Sequence, residues 1–137
     1  MRDILPVILN VYKIKENSIL PLLGLNLYHT AIEYDNTEFA FGKVRDPNKS
    51  GIYDITPMSF EDGAYIESIN LGNISRRQFF VKLEKLKLLY KGDTYNFLTK
   101  NCNHFTNDLI NLLFSNKAIP SKYTSFLKLG ELLRKIF

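Results

Sequence analysis

The stretch LNLYHTAIEYDNTEFAF, residues 25–41, holds two runs of strand-forming residues joined by a short polar segment. β-Branched and aromatic side chains are frequent in 25–34 and 38–41, and Asp35, Asn36 and Thr37 separate the two runs. Asp and Asn accept the left-handed backbone conformations that tight hairpins need. The sequence therefore predicts a β-hairpin here.

Further strands are predicted on both sides of this hairpin. Residues 7–14 have the composition of a buried strand, and a loop over 16–24 that contains Pro21 follows them. Glycine and proline interrupt residues 42–63 and leave room for one short strand, GIYDI at 51–55. Another strand is predicted at 65–71.

The spacing of apolar residues becomes helical after residue 74. SRRQ at 75–78 matches a capping box, in which Ser75 accepts a hydrogen bond from the third helical backbone N–H and Gln78 bonds back to the cap. The apolar positions of this predicted helix are Phe79, Leu83, Leu86 and Tyr90. Gly92 is expected to be its C-cap.

Two more helices are predicted in the last third of the chain. One begins at about Asn101, with apolar positions at Phe105, Leu109, Leu112 and Leu113. The other begins near Ser121, with Phe126, Leu129, Leu133 and Ile136 on one side. Strands followed by helices predict an α+β fold, a small antiparallel sheet packed with helices, in one domain over residues 1–137.

Composition argues against several classes of protein. The 18 Lys and Arg against 14 Asp and Glu give a formal charge of +4 but no concentrated basic face, so nucleic-acid binding is not expected. A single cysteine cannot form an intrachain disulfide, and no apolar run approaches the roughly 18 residues of a spanning helix. We expect a cytoplasmic protein without stable membrane insertion, and a nuclear location stays open.

The only cysteine lies in KNCNHF, residues 100–105, at the start of a predicted helix. Asn101 is a good N-cap residue, which would place Cys102 in the first turn beside free backbone N–H groups and the positive end of the helix dipole. Such surroundings lower the pKa of a thiol and favour the nucleophilic thiolate. Cys102 is therefore a candidate nucleophile.

A nucleophilic cysteine needs a base, and the chain offers two histidines, His29 and His104. His104 follows Cys102 by two residues, which on a helix turns it about 200° away from the sulfur. We expect it to support the helix start. His29 lies in a strand, so the fold can bring it opposite Cys102, and it is the better candidate. A buried structural cysteine and a hydrogen-bonded core histidine remain the alternative at this point.

The residues resemble the PPPDE peptidases, permuted papain-fold thiol peptidases that include the desumoylating isopeptidases. The most specific part is an aromatic-His-Thr element, YHT at 28–30, followed some seventy residues later by NCNHF at 101–105. The other similar stretches are VILNVY at 7–12, GLNLYHTAIEY at 24–34, EFAFG at 38–42, GIYDITP at 51–57, INLG at 69–72, YKGDTYNFLTKNCNHFTNDL at 90–109 and AIPS at 118–121.

The resemblance implies a catalytic dyad of His29 and Cys102, in a thiol isopeptidase that removes ubiquitin or a ubiquitin-like modifier such as SUMO from protein lysines. It implies no cofactor and no metal. The backbone N–H of Cys102 is the expected oxyanion donor. Asn101 and Asn103 are candidates for a second donor, with capping and turn formation as their alternative role.

Two departures from the family pattern concern the substrate cleft: Lys43 stands where a second glycine often follows EFAFG, and the loop over 58–64 is short. Two other functions stay open. One is a protein thioesterase or acyl-transfer enzyme, depalmitoylating or similar to lecithin retinol acyltransferase, that uses the same dyad. The other is a non-catalytic binding module. Whether two chains pair to form the cleft, as a homodimer, is also open.

Overall fold

The computed structural model describes residues 3–14, 27–97 and 99–124. Within them the strands are β1 (Ile4–Ile14), β2 (Tyr28–Tyr34), β3 (Thr37–Phe41), β4 (Ile52–Ile55) and β5 (Gly63–Ser75). The α-helices are α1 (Arg76–Leu89) and α2 (Cys102–Leu113), and short 3-10 turns occupy Gly92–Thr94 and Ser121–Tyr123. The fold is α+β, as predicted from the order of strand and helix patterns.

The strands form one antiparallel sheet in the order β4-β3-β2-β1-β5. The predicted hairpin is β2-β3, and its turn residues Asp35 and Asn36 have φ of 53° and 58°, the left-handed pair that a two-residue hairpin turn requires. The predicted strands at 7–14, 51–55 and 65–71 are also confirmed. β1 and β5 extend beyond the predicted bounds because they pair along their whole length.

Helix α1 begins after Ser75 and buries the face that holds Phe79, Leu83 and Leu86, as the sequence predicts. Ser75 is its N-cap and accepts from the Gln78 backbone N–H, while the Gln78 side chain accepts from the Ser75 hydroxyl. The prediction that Gly92 caps the helix is wrong, since Tyr90 does so. Gly92 is required elsewhere: a Cβ at this position would lie 2.2 Å from the Cβ of Val44.

Helix α2 begins at the predicted place and turns a slightly different face to the core. Phe105, Leu109 and Ile110 are fully buried, whereas Leu112, predicted to be apolar and inward, is 37% exposed. Ile110 is fully buried instead, one turn after Thr106, whose hydroxyl donates to the carbonyl of Thr30 on β2. Of the predicted third helix, only Ser121–Tyr123 is described; its apolar positions from 126 onward, like the predicted loop at 16–24, lie outside the described residues.

The two faces of the sheet differ in character. Strand alternation directs Val7, Leu9 and Val11 of β1 to the face that α1 and α2 cover, where they join the apolar core. The remaining core side chains on neighbouring strands and helices include Ile32, Tyr34, Phe39, Phe41, Leu71, Phe79, Leu83, Leu86, Phe105, Leu109 and Ile110. The opposite face carries buried polar residues, among them Asn10 and Glu38.

Candidate active site

Cys102 is the first residue of α2, and its neighbours build the helix start. The Asn101 side-chain oxygen accepts from the backbone N–H of Asn103 at 2.9 Å and of His104 at 3.3 Å. In return, Nδ1 of His104 accepts from the backbone N–H of Asn101 at 3.0 Å. This reciprocal capping box confirms the prediction that His104 supports the helix start, and it commits His104 to that role.

Asn103 fastens this helix start to strand β2. Its side-chain oxygen accepts from the Thr30 hydroxyl at 2.6 Å, and its amide donates to the carbonyl of Tyr28 at 3.0 Å. One turn later, the Thr106 hydroxyl donates to the carbonyl of Thr30 at 3.2 Å. The first turn of α2 is therefore held against the part of β2 that contains His29.

His29 is buried on β2, directly opposite Tyr12 of β1, with 5% of its surface exposed. Its ring stacks on Phe60 with 4.0 Å between ring centroids and 9° between ring planes. Nε2 of the ring is buried without a hydrogen-bond partner among the described residues. Burial lowers the pKa of His29 to about 4, so the imidazole is neutral at pH 7.

The structure brings the two predicted catalytic residues to one cavity of about 530 Å³, which both His29 and Cys102 line. Aromatic residues make up much of its wall, and the other described residues that line it are Ile14, Phe41, Gly42, Lys43, Tyr53, Phe60, Asp62, Tyr95 and Phe97. Lys43 and the loop before β5 thus contribute to the cleft, as the sequence predicts. A narrow space of about 20 Å³ adjoins Cys102 between Tyr28, Tyr95 and Phe97.

The thiol environment differs from the one predicted. Burial raises the pKa of Cys102 to about 11, although backbone N–H groups of Thr30, Asn103 and Cys102 itself oppose the increase. The expectation of a lowered pKa at the helix start is therefore wrong for this state, because burial outweighs the helix terminus. The resting pair is a protonated thiol and a neutral imidazole.

The side chains proposed as second oxyanion donors are occupied with local structure. Besides its capping oxygen, Asn101 donates its amide to the carbonyl of Phe97 at 2.9 Å. Asn103 bonds to β2 as described above, and its oxygen also lies 3.9 Å from the Cys102 sulfur. These contacts favour the capping and fastening roles of both asparagines.

Two tyrosines near the sulfur were missed in the sequence. Burial raises the pKa of Tyr53 and of Tyr95 to about 12, and the nearby Cys102 adds to the increase in both. Their hydroxyls therefore stay protonated, and both residues line the same cavity. Tyr95 precedes Cys102 by seven residues within the family-like stretch, a signal that could have identified it.

Two general properties complete the description. Within the described residues, no group of three or more His, Cys, Asp or Glu side chains is arranged to hold a metal ion. Among the helices of the same residues, none combines the length and the apolar character needed to cross a membrane.

Comparison with known proteins identifies similar chains. The family model of the "PPPDE putative peptidase domain" matches residues 5–133. A DeSI-like protein of Arabidopsis thaliana is 36% identical over 129 residues, covering 92% of this chain and 57% of that protein. The DeSI-like protein sdu1 of Schizosaccharomyces pombe is 30% identical over 131 residues, covering 90% and 65%.

A third relative carries an explicit activity in its name. Desumoylating isopeptidase 1 of Rattus norvegicus is 32% identical over 132 residues, covering 89% of this chain and 74% of that protein. The chain thus spans 57% and 65% of the plant and yeast relatives and about three quarters of the rat one.

Proposed function

Since the chain belongs to the PPPDE peptidase family, we propose that it is a thiol isopeptidase, with Cys102 as nucleophile and His29 as general base, that releases SUMO or another ubiquitin-like modifier from protein lysines. The observation that carries the proposal is the shared cavity of His29 and Cys102, with Cys102 at the start of α2. The choice of modifier is supported by the names of the rat and Caenorhabditis elegans relatives, both called desumoylating isopeptidase 1 or its homologue.

Proton transfer begins the reaction. His29 takes the thiol proton of Cys102, and the thiolate attacks the carbonyl carbon of the isopeptide bond. Burial disfavours a thiolate beside a neutral imidazole and an imidazolium beside a neutral thiol. The raised pKa of Cys102 and the lowered pKa of His29 both have this cause. A single transfer between the two groups creates opposite charges together, and their attraction in a site of low dielectric offsets part of that cost.

The tetrahedral intermediate places negative charge on the former carbonyl oxygen. The backbone N–H of Cys102 lies in the first turn of α2, where helical N–H groups have no intrahelical partner, so it is available as a donor. Tyr53 and Tyr95 line the same cavity as neutral hydroxyl donors. The backbone N–H of Cys102 and these two hydroxyls, rather than Asn101 or Asn103, are therefore the donors that we assign to the negatively charged oxygen.

Collapse of the intermediate breaks the carbon–nitrogen bond. His29, now protonated, donates its proton to the leaving lysine amine, and the modifier stays attached to Cys102 as a thioester. Water then attacks the thioester with His29 again as base, the carbon–sulfur bond breaks, and His29 returns the proton to the Cys102 sulfur. The released carboxylic acid loses its own proton to solvent.

The decisive test uses SUMO and ubiquitin that carry a C-terminal electrophile, together with their C-terminal fluorogenic amides. We expect covalent labelling of Cys102 and turnover with at least one modifier, complete loss of both in Cys102→Ala, and loss of turnover in His29→Ala. Turnover by pure Cys102→Ala protein would exclude the thiol mechanism. If both modifiers are ignored and a palmitoylated peptide is deacylated instead, the chain is a thioesterase with the same dyad.

A further inference from the structure

Glu38 is a buried acidic residue that the reaction above does not use. It lies on β3, on the sheet face opposite the helices, and its exposed surface is 0%. Within the described part of the chain, its carboxyl group has no ion-pair partner, and its Oε1 has no hydrogen-bond partner. Burying such a group is costly, and an apolar residue would fill the space at lower cost.

The other carboxyl oxygen of Glu38 is heavily used. Oε2 accepts from the Tyr12 hydroxyl at 2.7 Å and from the Asn10 amide at 2.9 Å. The backbone N–H of Met58 also points to it, at 3.5 Å. Burial and the hydrogen bond to Glu38 raise the pKa of Tyr12, which keeps its hydroxyl a donor. Glu38 thus fixes the outer end of the Tyr12 side chain.

Tyr12 and Phe60 both pack against the His29 ring and against each other, and we call this pair the histidine clamp. The Tyr12 ring lies 5.8 Å from the His29 ring and 5.2 Å from the Phe60 ring, measured between centroids. Phe60 stacks on the imidazole at 4.0 Å, so the three rings form a compact triangle in which a shift of Tyr12 affects both contacts of His29. Glu38 accepts from the Tyr12 hydroxyl. It also contacts the backbone N–H of Met58, which lies two residues before Phe60 in the same loop.

Ring contacts contribute to the orientation of His29, and its Nε2 has no hydrogen-bond partner among the described residues to fix it instead. In many active sites a carboxylate or amide hydrogen-bonded to the histidine sets the ring plane. Here the contacts with Tyr12 and Phe60 restrict the ring plane, so the firmness of the clamp matters. Small displacements of a general base reduce the rate, since proton transfer and attack need close alignment.

We propose that Glu38 is a positioning residue for His29, which acts by holding the Tyr12 hydroxyl and thereby the histidine clamp. The inference rests on the proposed role of His29 as base. It assigns to Glu38 a geometric task that needs an acceptor oxygen at the position of Oε2. Glutamine can supply that oxygen and place its amide nitrogen where Oε1 now lies, whereas leucine can supply neither.

The experiment compares Glu38→Leu, Glu38→Gln and Tyr12→Phe in the full chain. Hydrolysis of the SUMO fluorogenic amide gives kcat and KM, and NMR follows the imidazole resonances of the two histidines, assigned with His104→Gln. We expect Glu38→Leu and Tyr12→Phe to lower kcat by about tenfold or more with KM unchanged. The His29 resonance should shift in both, because its ring-current environment changes, and Glu38→Gln should recover most of both losses.

Tyr34→Phe is the matched control for loss of a buried tyrosine hydroxyl. Its hydroxyl donates to the Ile74 carbonyl at 2.8 Å, on the helix-covered face. We expect it to reduce thermal stability while kcat and the His29 resonance stay as in the wild type. Equal losses in Tyr34→Phe would show that Tyr12→Phe acts by general destabilisation and would overturn the inference.

Other outcomes also separate the possibilities. If kcat of Glu38→Gln is as low as kcat of Glu38→Leu, the charge of Glu38 is needed and not its geometry. If the His29 resonance does not shift in Tyr12→Phe, the Tyr12 hydroxyl does not position the ring. Either result overturns the inference. If Glu38→Leu does not fold, Tyr12→Phe decides. Wild-type turnover in His29→Ala would instead overturn the proposed function, and the NMR comparison would still test the positioning of the ring.

Discussion

The hydroxyl of Thr30 donates a 2.6 Å hydrogen bond to the side-chain oxygen of Asn103, and this bond joins the histidine strand to the cysteine helix. Both residues are fully buried, and each is adjacent in sequence to one member of the proposed dyad. The relative placement of His29 and Cys102 therefore depends on a contact between their neighbours. Thr30 also accepts from Thr106 through its carbonyl, so the strand is tied to two turns of α2.

Thr30→Val should destabilise the protein by about 1–3 kcal/mol, because valine keeps the shape and leaves the Asn103 oxygen without its buried donor. Urea unfolding followed by circular dichroism measures this loss. Thr94→Val is the matched control, since the Thr94 hydroxyl makes its 2.7 Å bond to Lys91 at an exposed position. The control should cost less than about 0.5 kcal/mol. Equal losses in the two variants would contradict the fastening role.

His104→Gln should reduce stability without removing the reactivity of Cys102. The substitution weakens the capping box that starts α2, an effect of roughly 0.5–2 kcal/mol. Thermal melting and the rate of Cys102 alkylation at one pH are the paired measurements. An unchanged melting temperature together with an unreactive thiol would mean that His104, not His29, serves the sulfur.

The pKa of His29 predicts how stability depends on pH. The folded value of about 4 lies below the ordinary value of 6.5, so the unfolded chain binds this proton more tightly. The free energy of unfolding should therefore keep its full value above pH 6.5 and decrease as the pH falls through 6.5 toward 4 and below, by about 3 kcal/mol in total. Urea titrations at several pH values, compared with His29→Leu, isolate this part. A variant with the same pH dependence as the wild type would refute the assignment.

Cys102 should be slow to alkylate in the free protein at neutral pH. Burial raises its pKa to about 11, so the rate with iodoacetamide should increase from pH 7 up to pH 10 without a plateau. An accessible cysteine in a short unstructured peptide of the sequence KNCNHF is the control, and its rate should level off near pH 9. A plateau below pH 7 in the folded protein would show a preformed ion pair.

Local patterns predicted the parts of the site that are built locally. The Asp35-Asn36 turn and the Asn101 cap follow from residues close in sequence, and both are present in the structure. The pKa of Cys102 could not be predicted in this way, because the helix start is a local feature while burial depends on the packed strands. The helix terminus alone predicts a lowered pKa for Cys102, whereas burial raises it.

The polar network around Glu38 could not be predicted for a related reason. Tyr12 and Glu38 are 26 residues apart, and Asn10 and Glu38 are 28 apart, on strands that are not adjacent in the sheet. In the sequence, Glu38 alternates with Phe39 like any outward residue of a half-exposed strand. The side chains of Asn10 and Tyr12 and the loop of Met58 cover this position in the folded chain, and none of them is its neighbour in sequence.

The shape of the cleft next to Cys102 leads to a prediction about the substrate. Cys102 is only 6% exposed. It lines the cavity of about 530 Å³ that it shares with His29 and, between aromatic walls that include Tyr95 and Phe97, a narrower space of about 20 Å³. Because so little of the sulfur is exposed and the space on one side of it is narrow, we expect an extended backbone without side chains to reach it more readily than a residue with a branched side chain. Glycine should therefore be required on the acyl side of the cut bond, as in the diglycine tails of ubiquitin-like modifiers.

The fluorogenic amide of the best-labelled modifier, with its terminal glycine replaced by Val or Leu, tests this requirement. We expect kcat/KM to fall by about 100-fold or more, because the reacting carbonyl no longer reaches the position for attack. Phe97→Ala, at a wall residue that is 44% exposed, should restore part of the cleavage of the valine substrate by widening the space. Unimpaired cleavage of the valine substrate by the wild-type protein would show that this narrow space is not the acyl subsite.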